Sequence, residues 1–317
     1  MLRIGIVLYP RFQMMNLGVV AVLETANFIA QQQIYEPVLL SENGGLVPSS
    51  AGFSVETQAF DDSKFDTVLV SGDNWVSEAS PALVGFLQGA MTRCRRIGST
   101  CTGAFNLAQA GILDGRRATT HWSFAAKLQR DYPTVDVQQD RIFIIDGPVW
   151  TSAGMTACID LALALVELDL GGESARLVAK NMVVYHRRAG GQSQHSALLE
   201  LEPRSDRIQM ALTYAKENLK NELSVEELAE VVHLSPRQFS RSFRSETGQT
   251  PAKAVENLRL EAARLMLESG RHPIEIVARD TGFGDRDRMR RAFIRAFGQP
   301  PQVIRRTGNH AKPADLV

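Results

Sequence analysis

Short runs of consecutive apolar residues alternate with amphipathic stretches through the first half of this chain. Apolar runs of four or five residues favour strands buried on both faces, whereas apolar positions spaced three and four apart favour helices. Their alternation is typical of an α/β domain with a parallel sheet and helices on both faces. The pattern predicts strands at residues 4–8, 37–40, 67–70 and 96–99, and helices at 17–32, 81–93 and 103–110.

The last third of the chain has helical spacing throughout and contains one motif twice. Residues 224–251 align with residues 273–301, at an offset of 49 that becomes 50 after a one-residue insertion. Each copy predicts two short helices joined by a tight turn, and such repetition indicates a supersecondary unit that occurs twice. A long helix over 251–269 is predicted between the copies, with an apolar stripe formed by Ala254, Leu258, Ala262, Leu265 and Met266.

Capping residues indicate where the helices of the first copy begin. Ser224 precedes its first helix, and Glu227 is spaced to complete a capping box with it. Ser235 and Gln238 repeat this arrangement at the second helix, where Pro236 suits the first helical position. In the second copy, the corresponding cap is predicted at residue 285.

The second helix of each copy carries aromatic or apolar residues on one side and arginines on the other. Phe239 and Phe243, and in the second copy Met289 and Phe293, are spaced to face the core. The opposite side is typical of the recognition helix of a helix-turn-helix unit, which enters a DNA major groove. The candidate DNA contacts on that side are Arg237, Gln238, Ser240, Arg241, Arg244, Arg286, Asp287, Arg290 and Arg291.

Charge is divided unequally along the chain, although the 35 Lys+Arg and 35 Asp+Glu of the whole sequence cancel. Residues 1–204 contain 16 basic and 20 acidic residues, and residues 205–317 contain 19 and 15. Because nucleic acid attracts positive charge, DNA affinity is expected in the second part only. Two helix-turn-helix units joined by one helix resemble the DNA-binding domain of AraC/XylS-type transcriptional regulators.

Cysteine use and hydropathy point to a cytoplasmic protein without a metal or other cofactor. Cys94, Cys101 and Cys158 are an odd number without metal-ligand spacing, which favours reduced thiols. The first residues are too short for a signal peptide. The longest apolar run, 153–170, contains Asp160 and Glu167, so it predicts a buried helix rather than a membrane span.

Cys101 occupies a sharp turn between a predicted strand and a predicted helix. A thiol at a helix N-terminus is expected to favour the thiolate, because the positive end of the helix dipole lowers its pKa. His121 follows 20 residues later at another predicted strand end. Since the carboxyl ends of parallel strands meet at one edge, the pair is a candidate nucleophile and base. A buried thiol and a structural histidine are the alternative.

A resemblance covers roughly residues 1–190. The segment Ile97-Gly-Ser-Thr-Cys-Thr-Gly-Ala-Phe, together with Ala118-Thr-Thr-His-Trp, resembles the PfpI-like branch of the class I glutamine amidotransferase superfamily. The resemblance implies a nucleophile elbow at Cys101, a nearby histidine at His121 and a pocket edge at residues 151–154. The candidate ligand contacts are Asn16, Gly72, Cys101, Thr102, His121 and Gly154.

Asn16 departs from this resemblance. Related regulators have a Leu-Asp-Leu-Ala-Gly-Pro run after the first strand, where this chain has Met15-Asn-Leu-Gly-Val-Val. No carboxylate occurs between Pro10 and Val20, and an amide can neither stabilise an imidazolium nor accept its proton. The departure favours a pocket that binds without catalysing.

We therefore expect a transcriptional regulator rather than an enzyme. Residues 1–190 form its sensor and dimerisation domain, 191–204 a linker, and 205–317 an AraC-type DNA-binding domain. Its expected partners are a double-stranded DNA operator, a second copy of itself, RNA polymerase and a small-molecule effector, for which nitrogenous metabolites are the first class to test. No membrane partner is expected. The alternatives are a cysteine-dependent amidase or related hydrolase, and a redox sensor that uses Cys101.

Overall fold

The structure is a computed structural model. It describes residues 1–61, 64–184, 188, 190, 194, 205–268, 272–297, 299–303 and 305. The chain divides into two units, Met1–Gln194 and His195–Val317. Apart from Gln194, the predicted linker 191–204 lies outside the described residues, as does the end of the chain after residue 305, so the predicted domain boundaries stay predictions.

One sheet of eight strands forms the centre of the first unit, in the order β3-β4-β2-β1-β5-β6-β10-β9. Neighbouring strands from β4 to β10 in this order pair in parallel, as the alternating apolar runs predict. A short parallel pair, β7 and β8, lies apart from it. The strands are β1 Leu2–Val7, β2 Tyr35–Ser41, β3 Asn43–Pro48, β4 Ser54–Ala59, β5 Thr67–Val70, β6 Arg96–Thr100, β7 Arg117–Ala118, β8 Asp136–Val137, β9 Phe143–Asp146 and β10 Val149–Ser152.

Both edges of the sheet are antiparallel hairpins, β3–β4 and β9–β10, which the sequence analysis did not assign. Residues in β3 and β4 are mostly exposed, so they lack the continuous apolar run that marks the central strands. Gly44 and Gly45 adopt positive φ angles of 68° and 76° within β3. The β3–β4 hairpin therefore has a weaker sequence pattern than the buried strands.

In the described part of the first unit, six α-helices cover the two faces of this sheet, and each face has its own apolar core. Leu87, Leu107 and Leu128 belong to the core on one face, and Leu23, Leu163 and Val178 to the core on the other. The helices are α1 Gly18–Ala30, α2 Pro81–Arg93, α3 Gly103–Gln109, α4 Trp122–Asp131, α5 Ala157–Leu170 and α6 Gly172–Asn181.

Two predicted helices of the first unit are shorter than expected. The apolar run 153–170 becomes helical only at Ala157, because Ala153 and Gly154 belong to the loop that leaves the sheet. The sequence from Glu173 to Arg188 also has helical spacing and predicts one helix, but α6 ends at Asn181, and Val183 adopts a positive φ of 56° that a helix cannot accommodate. Apolar periodicity alone placed both boundaries wrongly.

The second unit consists of helices and has two apolar cores. One core includes Phe239 and Phe243, and the other Met289 and Phe293, so all four predicted core residues are confirmed. Each core contains the buried residues of one copy of the repeated motif, together with residues of neighbouring helices. The helices are α7 Asp206–Glu217, α8 Val225–Val231, α9 Pro236–Thr247, α10 Pro251–Glu268, α11 Ile274–Asp280 and α12 Arg286–Phe297.

The long helix α10 packs against both cores with different residues. Ala254, Val255 and Leu258 belong to the first core, and Leu260, Ala263 and Leu267 to the second. The predicted single stripe is therefore wrong in its second half, since Ala262, Leu265 and Met266 are only partly buried. A helix that contacts two cores in succession needs two apolar faces rather than one.

Arg259 connects the two copies of the motif from the middle of α10. Its side chain is 7% exposed and donates to the carbonyl oxygens of Leu219, Asn221 and Glu222 at 3.2, 2.6 and 3.2 Å. Gly282, in the turn of the second copy, lies against the same group: a Cβ there would be 1.8 Å from the Leu219 oxygen. This contact fixes the second turn against the loop that precedes the first motif.

The capping predictions are confirmed at two helices and wrong in one detail at a third. Ser235 and Gln238 form the predicted capping box at α9, and Asp285 accepts from the Arg288 amide at the start of α12. Ser224 caps α8, but Glu227 accepts from the Leu223 amide at 2.9 Å rather than from Ser224.

No helix in the described part of the chain is both long and apolar enough to cross a bilayer.

Candidate ligand pocket and DNA interface

Cys101 lies at a sharp turn between β6 and α3, with a positive φ of 54°. Such an angle is strained for any residue other than glycine, so surrounding contacts must hold it. The Cys101 amide donates to the Ser152 carbonyl at 3.1 Å. Gly72 packs directly on the other side, where a Cβ would lie 2.6 Å from the Cys101 Cβ. The nucleophile-elbow geometry implied by the resemblance is present.

The Cys101 thiol is not activated, contrary to the expectation from the helix N-terminus. Cys101 is 5% exposed, and burial raises its pKa above the ordinary value of a thiol. The backbone amides of Thr102 and Met155 favour the thiolate but do not outweigh this desolvation. The thiol is therefore neutral near pH 7, which also disfavours oxidation by peroxide, since that reaction requires an accessible thiolate.

His121 lies beside Cys101 across Gly154. A Cβ on Gly154 would be 2.3 Å from His121 Cδ2 and 3.0 Å from the Cys101 Sγ, so the ring and the thiol flank this glycine. His121 also begins α4, where its Nδ1 is 2.7 Å from the Ser123 hydroxyl oxygen. The structure thus brings together Cys101, His121 and Gly154, at the carboxyl edge of the sheet where the sequence placed them.

Thr102 and Gly103 hold the loops of this site close together. The Thr102 hydroxyl donates to the Asp73 carbonyl and accepts from the Asp73 amide, both at 2.8 Å. This pair of bonds joins the turn after β5 to the turn after β6. A Cβ at position 103 would lie 2.5 Å from the Val70 carbonyl oxygen, so α3 can approach the sheet this closely only because residue 103 is a glycine.

Asp73, Tyr9 and Asn106 are polar residues of this site that the sequence analysis did not single out as contacts. Asp73 is 2% exposed, and its charge contributes to raising the pKa of both Cys101 and Tyr9. Burial is the main cause of the raised Tyr9 pKa, with the Asn106 and Thr102 side chains as hydrogen-bonding neighbours. The site therefore contains a carboxylate, although residues 10–20 contain none: it belongs to Asp73, in the turn after β5.

Asn16 is joined to this group through Gly72. Its Nδ2 donates to the Gly72 carbonyl at 2.9 Å, and the side chain is 2% exposed. Its Oδ1 is buried and accepts no hydrogen bond from the described residues. Asn16 therefore supplies an acceptor without a charge at this position.

Metal chemistry has no support at this site. No group of three or more His, Cys, Asp or Glu side chains is placed to hold a metal ion among the residues that the structure describes. All three cysteines are free thiols. The Cys101 thiol would need deprotonation before it could act as a nucleophile.

The outward face of α9 carries the predicted DNA contacts of the first copy. Arg237, Arg241 and Arg244 are exposed, and Ser240 is partly exposed. Gln238 is exposed as well, but its Oε1 accepts from the amide and hydroxyl of Ser235 in the capping box. Its carboxamide oxygen is therefore already engaged in the structure.

The corresponding face of α12 carries more charge. Arg286, Asp287, Arg290 and Arg291 are exposed, as is Arg288, which the sequence analysis did not include. Arg286 is 3.4 Å from Glu275 in an ion pair whose side chains are 56% and 64% exposed. Such an exposed pair contributes little to stability and can exchange for a phosphate contact.

Family comparisons identify both units. A domain described as the DJ-1/PfpI family matches residues 13–168, and one described as a helix-turn-helix domain matches residues 228–307. An α/β domain with a cysteine elbow, followed by two helix-turn-helix motifs, defines the class of the protein as a DNA-binding transcription factor with a DJ-1/PfpI-type domain.

Two similar proteins of Pseudomonas aeruginosa have this length and organisation. The HTH-type transcriptional regulator GbdR is 30% identical over 99% of this chain and 87% of its own length. The HTH-type transcriptional regulator CdhR is 33% identical over 94% of this chain and 90% of its own. The chain belongs to this family of AraC-type transcriptional regulators with an N-terminal DJ-1/PfpI domain.

Solved structures agree with the fold of the first unit. An AraC family transcriptional regulator from Pseudomonas putida has a TM-score of 0.54 at 23% identity, and covers 57% of this chain and 100% of its own. DJ-1beta of Drosophila melanogaster has a TM-score of 0.50 at 22% identity, covering 57% of this chain and 97% of its own. An enzyme is also similar: the isonitrile hydratase of Pseudomonas putida is 32% identical over 56% of this chain and 76% of its own length.

Proposed function

We propose that this regulator binds a DNA operator through α9 and α12, under the control of a small molecule held beside Cys101 and His121. The observation that carries the proposal is the pairing of two arginine-bearing helices in one unit, each exposed and each backed by a buried aromatic core. Two recognition helices on one face of DNA lie about one helical turn, or roughly 34 Å, apart along the groove.

The pocket supports binding rather than turnover. The Cys101 thiol is held neutral by burial, and His121 Nδ1 pairs with the Ser123 hydroxyl. A neutral thiol is a poor nucleophile, whereas a thiol, an imidazole and the Asp73 carboxylate together provide hydrogen-bonding groups of different kinds. The buried Asn16 oxygen would gain a partner from a ligand that donates a hydrogen bond, which removes a cost of about 1–3 kcal/mol.

Further partners follow from the class of protein. A homodimer would place four recognition helices on a paired operator, and an activator of this kind contacts RNA polymerase. Nitrogenous metabolites are the first effectors to test, because amino and amide groups donate the hydrogen bonds that Asp73 and Asn16 can accept. The three free cysteines support a cytoplasmic location.

The DNA assignment is tested with Arg241→Ala and Arg291→Ala in the full chain, on operators selected from genomic fragments. A residue that contacts a guanine edge should cost about 1–3 kcal/mol of specific binding when it is removed. A residue that contacts only phosphate should weaken binding to all sequences alike and reduce the salt slope by about one.

Arg207→Ala is the matched control, since Arg207 is exposed on α7, outside both recognition helices. It should leave the affinity within about twofold of wild type, as expected for a surface substitution of about 0.5 kcal/mol or less. Unchanged footprints for both Arg241→Ala and Arg291→Ala would show that α9 and α12 are not the recognition helices.

A cysteine-dependent hydrolase is the second candidate function, favoured by the similarity to isonitrile hydratase. It requires a covalent intermediate on Cys101 or a hydrated product. Mass spectrometry of the full chain after incubation with isonitriles and amides distinguishes the two functions. A stoichiometric adduct on Cys101, lost in Cys101→Ser, would establish the hydrolase and overturn the purely binding role of the pocket.

A further inference from the structure

Two residues beyond α6 bond back onto the loops that flank the Cys101 pocket. Arg188 contacts Asp160 of α5 and Thr156 at the end of the loop between β10 and α5, and Gln194 contacts the loop that carries His121. Both residues belong to the first unit, and the chain continues from Gln194 towards the DNA-binding unit. Neither contact is needed to complete the sheet or its two cores.

Gln194 holds the His121 loop on both sides of the histidine. Its Nε2 donates to the Thr120 carbonyl at 2.9 Å, and its Oε1 accepts from the Trp122 amide at 2.9 Å. Its backbone amide also donates to the Asp140 carboxylate at 2.9 Å. A displacement of His121 therefore changes the positions of two groups that Gln194 binds.

Arg188 holds the other wall of the pocket. Its backbone amide and Nε donate to the two Asp160 carboxylate oxygens, both at 2.9 Å, and its Nη2 donates to the Thr156 hydroxyl at 2.7 Å. Thr156 precedes α5 and directly follows Gly154 and Met155, which contact the Cys101 thiol. The Asp160 side chain is 4% exposed and that of Arg188 is 30% exposed, so the carboxylate of this pair is shielded from solvent while the guanidinium is partly accessible.

Gly190 lies between these two contacts and packs against β9. A Cβ at Gly190 would be 2.6 Å from the Phe143 carbonyl oxygen and 2.8 Å from the Phe143 ring. The segment therefore approaches the sheet edge more closely than any residue with a side chain would allow. Arg188, Gly190 and Gln194 together define what we call the anchor segment.

We propose that the anchor segment couples occupancy of the Cys101–His121 pocket to the chain that leads to the DNA-binding unit. The inference rests on the proposed function and specifies its regulation. A ligand between Cys101 and His121 displaces the His121 loop or the Gly154 loop, and each displacement breaks hydrogen bonds of Gln194 or Arg188. Release of the anchor segment then changes how freely the second unit moves. By linkage, the anchored segment disfavours ligand binding in the pocket by the same free energy with which the ligand disfavours anchoring.

This reciprocity permits a test without a known effector, in which iodoacetamide is the probe and the full chain is used. Gln194→Ala should release the His121 loop and raise the alkylation rate of Cys101 by about tenfold, since the side-chain hydrogen bonds to Thr120 and Trp122 are lost. Asp160→Asn, which weakens the Arg188 anchor, should act in the same direction. Peptide mass spectrometry measures each cysteine separately.

Two controls separate a local release from general unfolding. Gln138→Ala removes a side chain whose Nε2 donates to Asp136 at 2.8 Å, away from the His121 loop, and it should leave Cys101 alkylation unchanged. Cys158 is fully buried and serves as an internal control, because its alkylation reports opening of the whole core. Parallel increases at Cys101 and Cys158 in Gln194→Ala would show general destabilisation and overturn the proposal.

The effect of the pocket on the anchor segment is tested with Gly154→Ala, whose added methyl group permanently fills the space between Cys101 and His121. The added methyl group should displace His121 and raise tryptic cleavage after Arg188, because trypsin must take the arginine side chain into its own pocket and so away from Asp160. Unchanged cleavage after Arg188 in Gly154→Ala, together with unchanged Cys101 alkylation in Gln194→Ala, would overturn the coupling.

Failure of the proposed function gives a different result. If the wild-type chain selects no DNA fragment, the regulator assignment fails, while the alkylation and cleavage assays still decide whether pocket and anchor are coupled. If DNA is bound and Gly154→Ala changes its affinity without any change at Arg188, the pocket controls DNA binding by another route. That result rejects the anchor segment and leaves the proposed function intact.

Discussion

At Cys101, desolvation outweighs the helix dipole. The thiol lies beneath Gly154 and beside the buried Asp73, so its charged form is disfavoured by both burial and a neighbouring negative charge. The two amides that favour a thiolate are present, which is why the elbow geometry alone suggests a reactive cysteine. The difference between Cys101 and a catalytic thiol is therefore in its surroundings rather than in its backbone.

A pH profile of Cys101 alkylation tests this balance. Because burial raises the thiol pKa, the rate should stay low through neutral pH and increase only above the pH at which an ordinary thiol ionises. The raised pKa also affects stability. The thiol stays protonated in the folded state at a pH where the unfolded chain ionises, so the free energy of unfolding decreases as the pH rises above the pKa of an unfolded thiol. A profile with its midpoint below that of free cysteine would contradict a neutral thiol.

Gly282 packs directly on the loop that precedes the first helix-turn-helix motif. Gly282→Ala should cost more than the about 1–2 kcal/mol of a left-handed residue, since its methyl group would also lie 1.8 Å from the Leu219 oxygen. Gly248→Ala is the matched control, because Gly248 has a similar φ of 72° and a Cβ added there would contact no other part of the protein within 4 Å. Urea denaturation of both variants measures the difference. Equal losses would show that the Gly282 contact is not tight.

At the scale of elements, a buried charge network fixes α5 to the sheet at the edge opposite the pocket. Asp169 at the end of α5 accepts from Arg96 of β6 at 2.8 Å and from the Tyr35 hydroxyl of β2 at 3.2 Å. Arg96 also donates to Asp66 at 2.9 Å. The side chains of Arg96 and Asp169 are only 7% and 3% exposed, so each charge depends on its partner.

Asp169→Ala should therefore destabilise the first unit by about 3–5 kcal/mol, the usual cost of leaving a buried charge without its partner. Asp66 still bonds Arg96, which favours the lower end of that range. Lys127→Ala serves as the control: it removes the exposed Lys127–Asp131 pair and should cost about 1 kcal/mol or less. A loss for Asp169→Ala no larger than that of the control would show that the network is not stabilising.

At the scale of the whole molecule, function is divided between two units with opposite charge. The acidic excess lies in residues 1–204 and the basic excess in 205–317. The first unit contains Cys101 and His121 and the second the arginine-bearing helices, so the proposed ligand site and the proposed DNA contacts belong to different units.

A fragment of residues 205–317 should consequently bind the operator without responding to any effector. It should bind more weakly than the full chain, by up to about 10²–10⁴, if the full chain places two copies on a paired site. Fluorescence anisotropy with single and paired half-sites measures the difference. An unfolded fragment, or one with full-chain affinity for paired sites, would contradict this division of roles.

Local patterns in the sequence determined most elements and the class of the protein. The central strands were predictable because continuous apolar runs occur only where both faces of a strand are covered, and α2 begins at Pro81 and ends at Arg93 as its pattern indicates. The repeat predicted both recognition helices, because Phe239, Phe243, Met289 and Phe293 must share one face of a helix wherever the helix lies.

Properties that depend on distant neighbours were decided only by the tertiary structure. The pKa of Cys101, the presence of Asp73 beside it and the second face of α10 all arise from segments far apart in the chain. The β3–β4 hairpin was missed since its exposed strands lack an apolar run. The hydrogen bond between Gln194 and Thr120 joins residues 74 apart in the chain. Sequence periodicity reports which face of an element is buried, whereas solvation, charge and anchoring depend on what that face meets.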